Sequence, residues 1–213
     1  METKRLLISS KSATDAEMLL KVDAYMRDEC SFASKDRLHV RLLIEETLGM
    51  LRQMAGDYSA MLWLETHPEV PGDAKCRLHV VATSRMDINK KKELLSVAKS
   101  GKNAYAKGFM AKLGDMVENG VLNYENAMNL QQKYGLGYVE VAATGGNPSE
   151  VMFSWTLDQY RRSLQAEMGQ NEQAAAAWDE LEKSIVARLA ENLIVGVRKD
   201  HVELLIDTAL SGE

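Results

Sequence analysis

Between residues 35 and 83 the spacing of apolar side chains switches from the period of a helix to that of a strand. In 35–55, Val40, Leu43, Ile44, Thr47, Leu51 and Met54 recur at helical spacing and define one apolar stripe. Ser34 is placed to cap this helix. Leu42, Glu46, Gly49 and Gln53 fall on another face. The segments YSAMLWLET (58–66) and KCRLHVVAT (75–83) then read as strands, joined by the turn-forming HPEVPGDA. In the second of them Cys76, Leu78, Val80 and Ala82 alternate with Lys75, Arg77, His79 and Val81, the pattern of a strand buried on one face. A helix with one apolar stripe and strands with one apolar face satisfy each other by stacking in layers.

The remaining segments extend this plan. KRLLISS (4–10) reads as a first strand, and TDAE (14–17) as a capping box opening a helix, with Thr14 and Glu17 each bonding the other's amide. Residues 87–118 read as helical with a break near 99–108, and 137–157 as two strands around a Gly-Gly-Asn-Pro loop. TLDQ (156–159) opens another helix, and a long helix over 173–192 precedes a hairpin of LIVGV and HVELLI turning at Lys199-Asp200. The expected class is α+β: a two-layer α/β sandwich with helices on one face of a mixed or antiparallel sheet. The expected organisation is a domain over 1–157 followed by a C-terminal ααββ extension over 158–213. The extension carries too many apolar residues to leave in water, so it must extend the sandwich or join a second copy in a homodimer.

Composition narrows the function classes. A net charge of −5 argues against a nucleic-acid phosphate track, which needs clustered Lys and Arg. No apolar run approaches the roughly 20 residues that span a bilayer, and the N-terminal stretch has charge but no long apolar core, so neither membrane insertion nor a secretory signal is expected. Two cysteines make no disulfide framework, and the expected location is the cytoplasm. The twelve methionines read as flexible core filler.

Few residues carry a chemical signal. Cys76 and His79 have the C-x-x-H spacing of a metal motif, but three positions apart on a strand they point to opposite faces, and no metal site is expected. The four histidines are scattered, and none stands beside a Ser or Cys as a base would. Cys30 reads as a buried helix-end residue, and Trp63, Trp155 and Trp178 as core. Glu45 and Glu46, mid-helix, fit two readings: a solvated face paired with Arg41 or Arg52, or a pair turned toward a ligand. Gly108 opens a helix whose amides favour anions. Gly101, Lys102 and Asn103 lie just before it, without the first glycine of a Walker loop.

The element order, with R-L-x-x-E-E in the second helix (Arg41, Leu42, Glu45, Glu46), resembles the GHKL ATPase superfamily, and most closely its anti-sigma-factor serine kinases. The resemblance covers roughly residues 4–157. It implies ATP as cofactor, a general base at the Glu pair, a phosphate-binding helix start at Gly101, Lys102, Asn103 and Gly108, a protein partner and a dimer. Two departures stand beside it. The position of the magnesium-holding Asn falls on Met50, or Gly49 in a shifted register, and neither offers a hard oxygen. The D-x-G-x-G that reads adenine is missing, with Asp87 the acid nearest to the end of the third strand. Two functions follow: a degenerate relative that serves as a regulatory or protein-interaction module with weak or no ATP binding, or an ATP-binding serine kinase or ATPase regulator. A small-molecule sensor using the emptied pocket is a third.

Overall fold

The computed structural model describes residues 1–67, 75–83, 153–169, 172–197 and 201–211. In chain order these form β1 (Leu6–Ser9), α1 (Asp15–Glu29), α2 (Ser34–Ala55), β2 (Ser59–His67), β3 (Lys75–Thr83), β4 (Phe153–Thr156), α3 (Leu157–Glu167), α4 (Glu172–Lys183), α5 (Ile185–Leu189), β5 (Asn192–Val197) and β6 (His201–Ala209). The strands make one six-stranded sheet in the order β1-β2-β3-β6-β5-β4. Every pairing among the described strands is antiparallel, the second of the two expected sheet types.

Local signals set the element ends. Thr14 accepts from the Glu17 amide at 3.3 Å while the Glu17 carboxylate accepts from the Thr14 amide at 2.7 Å, so the capping box starts α1. Thr156 accepts from the Gln159 amide at 3.2 Å and starts α3. The expected Ser34 cap is not found: Ser34 is already helical, and Ala33 at the N-cap makes no side-chain bond. α2 stops at Gly56, whose φ of 66° suits a residue without Cβ and lets its amide bond the Arg52 carbonyl at 2.9 Å. The single helix expected over 173–192 is instead two, because Ser184 leaves the helical conformation and accepts from the Ala187 amide at 3.3 Å as a fresh N-cap. Asn192 already belongs to β5.

The helices cover one face of the sheet. Val40, Leu43, Ile44 and Leu51 of α2 are completely buried, and they share one core with Leu62 and Leu64 of β2, Leu78 and Val80 of β3, and Leu204 and Ile206 of β6. Thr47, within the same stripe, is also buried, and its hydroxyl donates to the Leu43 carbonyl at 2.6 Å. Val22 and Met26 of α1 and Leu157 and Leu164 of α3 join this core. The alternate strand residues, among them Trp63, His79, Arg77, Leu205 and Asp207, occupy the outward face and are partly exposed.

The hairpin from the expected extension does not lie beyond the sheet. β6 sits in its middle, paired along nine residues with β3 from Lys75↔Ala209 to Thr83↔His201, and β5 links it to β4. Residues on both sides of position 157 therefore share one sheet and one core. Val186, Leu193, Val195, Val202, Leu204 and Ile206 are buried against their own chain. Their apolar surface is covered without a second copy.

Candidate carboxylate site on the second helix

Arg41 and Glu45 stand on the side of α2 that meets α1, and Glu46 lies further round the helix. Arg41 Nη1 donates to Glu45 Oε2 at 2.9 Å, one helical turn apart, and Arg41 Nε donates to Asp23 Oδ1 of α1 at 2.7 Å. Glu45 is thus held by the first of the two arginines considered for it. Arg52 turns instead to Asp15, donating at 2.6 Å. Glu46 is partly buried and has no hydrogen bond or ion pair to another described residue. One turn further, Met50 is buried in the core, and Gly49 is exposed with open space where a Cβ would stand. Neither position extends an oxygen toward Glu46. Among the described residues no group of three or more His, Cys, Asp or Glu is arranged to hold a metal ion.

The other proposed ligand-binding residues, Gly101, Lys102, Asn103 and Gly108, lie outside the described residues, as does Asp87. A cleft of about 500 Å³ opens at the β1–α1 loop, lined by Ser10, Lys11, Thr14, Asp15, Glu17 and Arg52. Glu45 and Glu46 do not line it. Its helix start is occupied by the capping box, and its arginine is neutralised by Asp15. The Glu17 carboxyl is held below its ordinary range by the Thr14 amide and hydroxyl.

Two clusters have no counterpart in the sequence reading. At the start of α2, Asp36 is buried and accepts from both the amide (2.8 Å) and the hydroxyl (2.7 Å) of Ser211, just past β6. Burial pushes the Asp36 carboxyl up, but the two bonds from Ser211, helped by His39, outweigh it and hold the group below the usual range. One turn along, His39 Nε2 meets the Thr208 hydroxyl at 2.9 Å and the Leu189 carbonyl at 3.2 Å. The Thr208 hydroxyl also lies 2.8 Å from the Leu189 carbonyl, to which it can donate. Thr208 is wholly buried, and these contacts tie the start of α2 to the end of α5 and to β6. Spacing could not suggest this cluster, because its partners come from opposite ends of the chain.

The second cluster lies on the outward sheet face. Trp63 and His79 stack at 4.6 Å with ring planes 10° apart, and the Arg5 guanidinium stands 4.9 Å from the Trp63 centroid. His79 Nε2 lies 3.1 Å from the Glu65 carboxylate, and Arg77 grips Asp207 with two bonds at 2.6 and 3.2 Å. Trp63 is therefore outward-facing and not core. A signal for it was present, since it alternates with Leu62 and Leu64. Trp178 is partly buried against the core and donates to Glu182 at 2.8 Å. Cys76 faces the helices while His79 faces outward, as strand alternation requires. Burial pushes the Cys30 thiol up to about 11 and the Cys76 thiol up to about 12. No helix among the described residues is long and apolar enough to cross a membrane. No protein-family model, curated protein or solved structure matches the chain.

Proposed function

We propose that this protein is a degenerate GHKL ATPase-like module that regulates through contact with a protein partner and binds ATP weakly or not at all. The supporting observation is the surroundings of Glu46. Its neighbour Glu45 is committed to Arg41, and the positions one turn on are a buried Met50 and a bare Gly49. A carboxylate so placed can accept a proton or a hydrogen bond, but a magnesium ion beside it would have to take its other ligands from phosphate and water. The antiparallel sheet with helices on one face is compatible with this lineage without being peculiar to it.

Calorimetric titration of ATP into the full chain, with and without magnesium, tests the reading. The expected result is no saturable magnesium-dependent heat. Tight magnesium-dependent binding that Glu46→Gln weakens would overturn it and favour the serine-kinase alternative, with Glu46 as general base. A homodimer is proposed beside the protein partner, and light scattering on the full chain is expected to read twice the chain mass; a monomer would remove it.

A further inference from the structure

We draw no further inference here: the strongest candidate, the outward face of the sheet where Trp63 meets Arg5 and His79, carries nothing because nothing in the structure shows what covers it.

Discussion

Asp36 shows how one residue can couple two distant parts of the chain to pH. Its carboxyl is held below its ordinary value in the fold, so the ionised form is the one the fold favours. Its contribution is complete above the unfolded value of about 3.9 and is lost as pH falls through the folded value. Asp36→Asn is expected to lower the melting temperature at pH 7 and to flatten its decline between about pH 5 and pH 2. Thermal melts across that range check both; an unchanged slope would remove Asp36 from the acid response. The cysteines give a second test at this scale. With thiols at about 11 and about 12, little thiolate exists at pH 8. Alkylation of the native protein should run on the order of 100-fold slower than that of a free cysteine. Labelling of Cys30 at the rate of the denatured chain would contradict its partial burial against the core. Part of the residue scale was legible. The Arg41–Glu45 pair follows from i, i+4 spacing. The Asp36–Ser211 bond does not, since no local pattern ties the start of a helix to a serine most of the chain away.

Elements were read best where one periodicity runs uninterrupted. β3 occupies 75–83, the span its alternation indicates, and α2 buries Val40, Leu43, Ile44, Thr47 and Leu51 of its stripe. Leu43→Ala should cost about 2–5 kcal/mol, because that side chain is fully buried and removing it leaves a cavity. Urea denaturation would show this as a lower midpoint with an unchanged slope. A loss near zero would mean that α2 does not pack through this stripe. Residues 173–192 depart from a single helix for a local reason. The apolar residues of α4 and α5 continue at nearly helical spacing, and a lone serine carries no sign of whether its hydroxyl will face outward or cap a new helix. Here Ser184 caps, and Arg161 of α3 donates to the carbonyls of Glu191 (3.0 Å) and Ala187 around the turn that follows. A cation at the carbonyl end of a helix is electrostatically favourable there.

At the scale of the molecule, the sheet order was what the sequence could not convey. Periodicity tells a strand which face to bury but not which neighbour to choose, and β3 chooses a partner more than half the chain away. This changes what truncation should do. A chain ending at Leu157 loses β5 and β6, the strands that pair with β4 and with the second edge of β3 among the described residues. It is expected to lose cooperative unfolding and to aggregate, where an appended tail could be removed harmlessly. Circular dichroism melts of the truncated and full chains decide between these. A soluble fragment with a sharp transition would show that residues 1–157 fold alone.

The central position of β6 also has a consequence for synthesis on the ribosome. The β2–β3 pair emerges early, yet the strand that covers its open edge is made more than half a chain later. At translation rates of about 5–20 residues per second, that edge waits on the order of 10 s with its amides and carbonyls unmet. Nascent chains of this protein should therefore depend on chaperone holding during that interval, and a slowed ribosome should lower the soluble yield.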